Sequence, residues 1–464
     1  MKALPGNLSR AKLVGWILSV LIPVIVWLIP TSESFTPELR MFFVITLFVI
    51  LIMAFELLPV LISAVLLPAL CVVSGLVPSE TAFNAYTNTT VWMILGGLIF
   101  SNVLDQCGLL TRIAYGVIRK CGGTYVGAVF GCFFVGIILN VITFCNGWIV
   151  ACALVYGVCK AMNLKPGKEA ALLCFAGAVG SNGSVIMLYH PGFVSLLETS
   201  LKTFMPDYTM GIFTQFIYNG TYAIWCMISF VIMLKVFRIK NSDIQVSREI
   251  FDQKYKELGP MSKNEKKSVV YIIVLLAYLC STQFTGLPAA YGFLIIPYVM
   301  FLPVIGVDDG SALKRTNLPM IFFIATCMSI GSVGNAVGFG DWLTGIAVPL
   351  LEGKSVLFVC VALLIFGMLA KFVMTPLAIL GALSIPFSQV AISLGINPVA
   401  ACMILLFSCE LIFMPYQASG TLIMYSYGLM PMKEFIKQFA VKDALMIVGF
   451  VVVMYPMWML FGLI

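Results

Sequence analysis

Long runs of apolar residues dominate this 464-residue chain and decide which folds are open to it. Eleven of these runs can each form a helix of about 20 residues, enough to cross a hydrocarbon core about 30 Å thick. With 61% hydrophobic and 10% charged residues, the chain is far more apolar than a soluble domain. The short alternating segments typical of an outer-membrane barrel are absent from the sequence. It therefore predicts an all-α integral membrane protein.

Two further apolar runs are interrupted near their middle by residues that disfavour helix. Run 125–163 is broken at Thr143-Phe144-Cys145-Asn146-Gly147, and run 355–395 is broken at Met374-Thr375-Pro376. We interpret both as re-entrant hairpins, since non-helical backbone at membrane depth needs cover from protein or from a watery cavity. The eleven predicted spans are 12–30, 41–57, 59–77, 91–106, 169–197, 213–237, 268–285, 289–306, 317–335, 399–427 and 442–463.

The distribution of Lys and Arg gives the predicted orientation. If the N-terminus is cytosolic and both interrupted runs are hairpins, 23 of the 27 Lys and Arg residues lie on the cytosolic side. Lys442 is one of these 23 residues. The exceptions are Arg40, Lys202 and Lys354 outside, and Lys371 inside the membrane. The positive-inside rule favours this arrangement. We therefore predict a multi-pass protein of the plasma (inner) membrane with a cytoplasmic N-terminus and an external C-terminus.

The two halves of the chain resemble each other at a nearly constant spacing. Glu56-Leu57-Leu58-Pro59 matches Thr285-Gly286-Leu287-Pro288 at an offset of 229, and Asn102 matches Asn335 at an offset of 233. Each half has five spans and a hairpin, so the second copy must be inverted, as in many secondary transporters. The predicted parts are an N-terminal segment and first span (1–37), repeat 1 (38–240, with hairpin 125–163 and broken helix 169–197), a cytosolic linker (241–267) and inverted repeat 2 (268–464, with hairpin 355–395 and broken helix 399–427).

With these features the chain resembles the divalent-anion/sodium symporter family, which carries dicarboxylates, tricarboxylates or sulfate. The order of hairpin and broken helix in both halves is similar, and Glu56-Leu57-Leu58-Pro59 is similar to the family's Glu-Ala-Leu-Pro. In that family each hairpin tip carries Ser-Asn-Thr, which binds substrate carboxylate and, with the adjacent broken helix, a sodium ion. The resemblance also implies elevator-type movement and a homodimer.

The two predicted tips depart from the family pattern. The first reads Cys145-Asn146-Gly147 and the second Met374-Thr375-Pro376, so most of the hydroxyl oxygens that sodium needs are missing. Lys371 comes just before the second tip, and a charge at membrane depth is a candidate functional residue by default. We hypothesise that its ammonium group replaces a cation. The sequence leaves open that Lys371 carries protons, binds substrate directly or snorkels to the outer surface. A retained sodium site would lie near Cys145, Asn146 and Thr375.

Other candidate residues lie at the predicted tips and breaks. Glu410 precedes the predicted break Pro415–Gly420, where it could pair with Lys371 and exchange protons. His190, the only histidine, lies at the break of the fifth span. The half-helices that start at the two tips would point their positive dipole ends at a substrate carboxylate. Each site has a simpler structural interpretation, such as an Asn-Gly turn, a Thr375 helix cap or a hydrogen-bonded core histidine. The predicted substrate-binding residues are Asn146, Gly147, Thr375, Pro376, Ser181, Asn182, His190, Gln417, Ser419, Gly420 and Thr421. Asp105 and Glu56, near the cytosolic ends of their spans, are predicted to be structural or interfacial.

Together these observations predict a secondary transporter of small organic anions, above all di- or tricarboxylates, working by alternating access. Sodium-independent anion exchange or proton coupling is predicted. The alternatives are a sodium-coupled dicarboxylate symporter, or an inorganic-anion or sodium/proton carrier of the same superfamily. A membrane enzyme is disfavoured because HExxH, GxSxG and paired intramembrane aspartates are absent from the sequence. The predicted partners are the anionic substrate, the lipid bilayer and a second copy of the chain, with no cofactor, metal or nucleic acid.

Overall fold

The computed structural model describes residues 10–55, 57–121, 124–237, 248–372 and 374–464, and these residues form helices and turns with no β-strand. Glu56 and residues 241–247 of the predicted linker lie outside the described residues. The first thirteen helices are α1 (Arg10–Trp27), α2 (Pro37–Ala54), α3 (Val60–Val73), α4 (Ser79–Ala82), α5 (Asn84–Thr87), α6 (Thr89–Gln106), α7 (Leu109–Cys121), α8 (Tyr125–Thr143), α9 (Trp148–Ala161), α10 (Lys168–Gly183), α11 (Pro191–Leu201), α12 (Thr214–Asn219) and α13 (Tyr222–Val236). The others are α14 (Arg248–Glu257), α15 (Lys263–Thr285), α16 (Ala290–Val299), α17 (Ser311–Arg315), α18 (Leu318–Ala336), α19 (Phe339–Leu351), α20 (Val356–Ala370), α21 (Pro376–Ser393), α22 (Pro398–Ser408), α23 (Ser419–Ser426), α24 (Met432–Gly449) and α25 (Tyr455–Leu460), with a 3₁₀ turn at Pro415–Gln417 and a π-helical segment at Phe450–Met454.

Several of these helices are apolar and long enough to cross a membrane. Among the described residues, α2, α8, α18, α21 and the continuous segment Met432–Leu460 meet this criterion. The pair α6 and α7, bent by 66°, makes a sixth if counted as one span. Shorter apolar helices such as α3, α9, α20 and α22 follow other predicted runs. The prediction of an all-α, multi-pass membrane protein is confirmed, while the count of eleven spans stays a prediction.

Helices end where the sequence predicted interruptions. In the first interrupted run, α8 ends at Thr143 and α9 begins at Trp148. In the second, α20 ends at Ala370 and α21 begins at Pro376. The fifth predicted span likewise divides into α10 and α11, with residues 184–190 between them. Helix–break–helix order is thus present at all three places, and the re-entrant path of the two hairpins stays a prediction.

The chain divides into two compact units, of which the first comprises the described residues of Met1–Val91, Leu196–Tyr208 and Asn317–Cys409. In this unit α18 packs against α3 and α21, and α21 packs against α19 and α22. Where α18 crosses α21, a Cβ atom added to Gly331 would lie 2.2 Å from the carbonyl oxygen of Gly381. Helices in membranes use such small residues to bring their backbones together.

The second unit comprises Trp92–Ser195, Thr209–Thr316 and Glu410–Ile464, and α10 lies at its centre. Helix α10 packs against α8, α9, α23 and α24. A Cβ atom on Gly180 would lie only 2.1 Å from the carbonyl oxygen of Phe133, so the α8–α10 crossing requires glycine. Each unit contains segments from both predicted repeats, and the inverted repeat itself stays a prediction.

A buried ion pair in the second unit ties α7 to the start of α15. Nε of Arg112 lies 2.6 Å from Oε1 of Glu265, and the guanidinium group also donates to the carbonyls of Leu258 and Gly259. Glu265 accepts the N–H of Ser262 at 2.6 Å and completes a capping box. Burial would raise the pKa of Glu265, but the hydrogen bonds from Arg112 and Ser262 outweigh burial and hold this pKa below its ordinary value.

Candidate functional site

The first tip is turned by two consecutive residues with left-handed backbone conformation. Phe144 has φ 53° and Cys145 has φ 65°, values that cost non-glycine residues on the order of 1–3 kcal/mol each. Both N–H groups donate to the carbonyl of Asn140 at the end of α8. Gly147 has an ordinary φ of −82°, but a Cβ atom there would lie 2.8 Å from Cβ of Leu139. Lack of space therefore requires glycine at position 147.

Asn146 shapes this tip through its side chain. Its Nδ2 donates to the carbonyls of Thr143 at 3.3 Å and Phe144 at 3.2 Å. From α6, the hydroxyl of Ser101 donates to the carbonyl of Asn146 at 3.2 Å. In this structure the Asn146 carboxamide therefore supports the tip's own backbone, and its donation to a substrate stays a prediction.

The start of α9, the end of α10 and the start of α23 meet within the second unit. A Cβ atom on Gly420 would lie 3.4 Å from Oδ1 of Asn182 and 3.8 Å from Cβ of Trp148. The thiol of Cys152, on the next turn of α9, lies 3.4 Å from the carbonyl oxygen of Gly420. The predicted residues Gly147, Asn182 and Gly420 are thus brought to one region of this unit.

Hydrogen-bond donors in this region have the pattern of an anion site. Neither α9 nor α23 has a side-chain cap, so their first-turn N–H groups face outward from the helix ends. Among the described residues, the buried Nδ2 of Asn182 and Nε2 of Gln417 have no hydrogen-bond partner. Oε1 of Gln417 accepts the N–H groups of Phe413 and Met414 at 2.6 and 2.9 Å, which fixes the side chain. Helix N-termini and free amide donors together favour a negatively charged group.

Two more predicted residues serve the local backbone. The hydroxyl of Thr421 donates to the carbonyls of Pro415 and Ala418, both at 2.8 Å. Nδ1 of His190 accepts the N–H of Phe193 at 3.2 Å, and the two rings stack 4.1 Å apart. His190 therefore closes the start of α11, in agreement with the structural interpretation of a hydrogen-bonded histidine. The side chain of Ser419 is exposed.

Asn140 also belongs to this region, although the sequence pattern does not single it out. Its Nδ2 donates to the carbonyl of Ser181 and, at 3.1 Å, to the hydroxyl of Ser184, so it joins α8 to the end of α10. Asn140 is only 1% exposed. The available signal was a single asparagine within the apolar run Ile137–Val141, five residues before the predicted tip.

The second tip, in the first unit, follows the prediction closely. Thr375 is the N-cap of α21, with its hydroxyl accepting the N–H of Ala378 at 3.4 Å, and Pro376 is the first helical residue. The Thr375 side chain is exposed. Its cap role is confirmed, and substrate binding by this hydroxyl stays a prediction.

Lys371 is the C-cap residue of α20 and is 1% exposed. Its ammonium group donates to the carbonyl of Cys409, directly after the end of α22. The alternative of a lysine that snorkels to a surface is therefore wrong. Carbonyls at the ends of broken helices are the groups that coordinate sodium in many transporters. In this structure the carbonyl of Cys409 accepts a hydrogen bond from a lysine side chain at a position of this kind.

The first half of the last broken helix, α22, ends earlier than predicted. Helix α22 stops at Ser408, so Glu410 lies inside the break and not five residues before it. The carbonyls beyond Ser408 bond to lysines: Cys409 accepts from Lys371 in the first unit, and Glu410 accepts from Lys442 in the second. Ammonium groups at these carbonyls compensate the missing helical hydrogen bonds. The sequence predicts Lys442 at the cytosolic end of the last span, which stays a prediction, and the structure shows that its side chain is buried.

The first unit also contains a cavity of about 580 Å³ that includes none of the predicted site residues. Its charged lining residues are Glu80 and Lys202, and its polar residues include Asn84, Ser332 and Asn335. The Lys202 ammonium already lies 2.6 Å from a carboxylate oxygen of Glu198. With one paired cation and an acidic side chain, this cavity is poorly suited to a dianion.

A protein-family model and several named transporters match most of this chain. The model of the family described as the sodium:sulfate symporter transmembrane region matches residues 10–464. The Bacillus subtilis protein named "Putative malate transporter YflS" is 22% identical over 378 residues, covering 75% of each chain. The L-tartrate/succinate antiporter of Shigella dysenteriae is 23% identical over 377 residues, covering 76% of this chain and 75% of the antiporter.

Among solved structures, the YdaH transporter of Alcanivorax borkumensis has a similar fold. The TM-score is 0.53 with 15% sequence identity, and the match covers 98% of this chain and 99% of the other. At this identity the similarity supports the fold alone. A transporter fold therefore accommodates nearly the whole chain.

Proposed function

We propose, on the premise that the chain belongs to the sodium:sulfate symporter family, that it is a secondary transporter of di- or tricarboxylates that works without sodium. Membership confirms the resemblance to the divalent-anion/sodium symporters. Relatives named for malate and for tartrate and succinate support a small dicarboxylate as the substrate.

The anion would bind in the second unit, at the meeting point of α9, α10 and α23. The first-turn N–H groups of α9 and α23 would donate to one carboxylate, with Asn182 and Gln417 supplying further donors. Gly147 and Gly420 keep these helix ends free of side chains. Dipole and hydrogen bonds act together at such sites, which favours a dianion over a neutral solute.

The single observation that carries sodium independence is the buried ammonium group of Lys371 on the Cys409 carbonyl. A cation fixed to the chain needs no ion from solution, so the transporter would couple by anion exchange or by protons. Elevator-type movement and a homodimer complete the proposal on the basis of the family. The distribution of Lys and Arg supports an inner-membrane location with a cytoplasmic N-terminus.

Uptake of labelled succinate into proteoliposomes tests this proposal. Uptake should be equal in sodium and choline buffers and should rise when the vesicles are preloaded with succinate or given an internal alkaline pH. Lys371→Ala should lose most of the transport, whereas Lys354→Ala, which changes an exposed lysine outside the helices, should not. A saturable sodium dependence without a proton gradient, or full transport by Lys371→Ala, would refute sodium independence through Lys371.

The description of the family favours a second candidate, a sodium-coupled sulfate carrier. Competition separates the two. A sulfate carrier would take up labelled sulfate, and excess unlabelled sulfate would block this uptake whereas excess succinate would not. Binding of succinate with no effect of sulfate or sodium would exclude this alternative.

A further inference from the structure

Lys442 is a second buried lysine, and the transport proposal does not use it. It lies within α24 and is 8% exposed, although the sequence placed it at the cytosolic start of the last span. The helical segment runs from Met432 through the π-helical residues to Leu460, so Lys442 lies well inside it. A buried ammonium group needs partners that replace its hydration.

Two oxygen atoms of the second unit bind this ammonium group. Lys442 donates to the carbonyl of Glu410 in the unwound stretch before α23 and, at 3.1 Å, to Oδ1 of Asp443. Asp443 is 1% exposed. A backbone carbonyl at a helix break together with a carboxylate is a ligand set suited to a hard monovalent cation.

The neighbouring helix α13 closes this place from another side. Trp225 donates its indole N–H to the carbonyl of Leu445 at 2.8 Å, and a Cβ atom on Gly449 would lie 2.2 Å from the Trp225 ring. On the same helix, Tyr222 is buried, and Tyr222 and Cys226 lie within electrostatic range of Glu410. Helix α13 therefore packs closely against α24, one and two turns beyond Lys442.

We propose that the Glu410 carbonyl and the Asp443 carboxylate form a monovalent-cation site that the Lys442 ammonium group occupies. Shortening Lys442 to alanine removes the ammonium and the three methylene groups Cγ, Cδ and Cε, and leaves the two oxygen ligands in place. A diffusible cation, either Na⁺ or a small primary alkylammonium ion, would then bind there. The inference concerns binding only and holds whichever anion the protein transports.

Thermal unfolding of the purified full chain in detergent tests the site. The Tm of Lys442→Ala is measured in chloride salts of sodium, ethylammonium and choline at equal ionic strength. Sodium or ethylammonium should raise this Tm saturably relative to choline, on the order of 1–2 °C at ten times the dissociation constant. The wild-type protein and Lys433→Ala, an exposed lysine of the same helix, should show no difference between the salts.

The carboxylate supplies the second test. Lys442→Ala combined with Asp443→Asn should lose the cation effect, because one of the two ligands loses its charge. Equal Tm values of Lys442→Ala in all three salts, or an unchanged cation effect in the double variant, would overturn the proposal. Succinate transport is not part of this readout, so failure here is distinct from failure of the transport proposal.

If Lys442→Ala does not fold, Lys442→Met keeps the volume of the side chain and allows a mutant cycle. Asp443→Asn should lower the Tm of the wild-type protein and have a much smaller effect in the Lys442→Met background, because the ammonium partner is gone. Additive effects of the two substitutions would contradict occupancy of the site by Lys442.

Discussion

Substitution of Gly147 by alanine tests the role of the first tip most directly. The added Cβ atom would lie 2.8 Å from Cβ of Leu139 and 2.9 Å from its carbonyl carbon and oxygen. Ordinary contact begins near 3.4 Å, so the start of α9 must shift by about 0.6 Å against backbone that cannot move aside. A misplacement near 1 Å at a binding site costs up to ~100-fold, so we expect a loss of about tenfold in succinate affinity and uptake.

Gly157 offers a matched control on the same helix. A Cβ atom there meets nothing within 4 Å, so Gly157→Ala changes the helix without changing the tip. This variant should bind succinate like the wild-type protein and be slightly more stable, because alanine is the better helix former by up to about 1 kcal/mol.

Binding is measured by calorimetry on detergent-purified protein, and uptake is measured in proteoliposomes. The Tm of each variant shows whether it is folded, since an overpacked Gly147→Ala should lose only about 1–3 kcal/mol of stability. A folded Gly147→Ala variant with the succinate affinity and uptake of Gly157→Ala would refute the placement of the site at the start of α9.

Two further predictions concern stability. Arg112→Met should lower the free energy of unfolding by about 3–5 kcal/mol, because it leaves a buried Glu265 carboxylate without its ion pair; in thermal unfolding, a change below about 1 kcal/mol would contradict this. The folded-state pKa of Glu265 lies below its ordinary value of 4.5, so the stability from this pair is complete above that value and is lost as the pH falls through the folded-state pKa. A pH titration of the Tm should show this loss in the wild-type protein and not in Arg112→Met. Gly180→Ala should lower the free energy of unfolding by about 1–3 kcal/mol, because the added methyl group overpacks the α8–α10 crossing. A Tm equal to that of Gly157→Ala would contradict the close packing of this crossing.

The sequence predicted those parts of the fold that depend on local chemistry. Thr375 followed by Pro376 is a helix start that needs no knowledge of the tertiary structure, and the structure confirms it. The interruption between Thr143 and Trp148 was predictable for a related reason, since polar and small residues stand together in an apolar run. Family membership was predictable from the order of such interruptions along the chain.

Features that depend on packing could not be predicted. Lys442 followed by Asp443 has the composition of a cytosolic helix end, and only the contacts made by α24 show that both side chains are buried. The carbonyls after the early end of α22 accept hydrogen bonds from lysines that are distant in the sequence. The left-handed conformation of Phe144 and Cys145 carries no local signal, because neither residue type favours it.

The Lys371 side chain is covalently attached to the chain, whereas a dissolved cation must bind from solution. A dissolved ion gives up translational freedom every time it binds, so its occupancy falls on dilution. The lysine gives up about 1.5–2 kcal/mol of rotamer entropy once, when the chain folds. The Cys409 carbonyl therefore keeps the Lys371 side chain as its hydrogen-bond donor at any salt concentration.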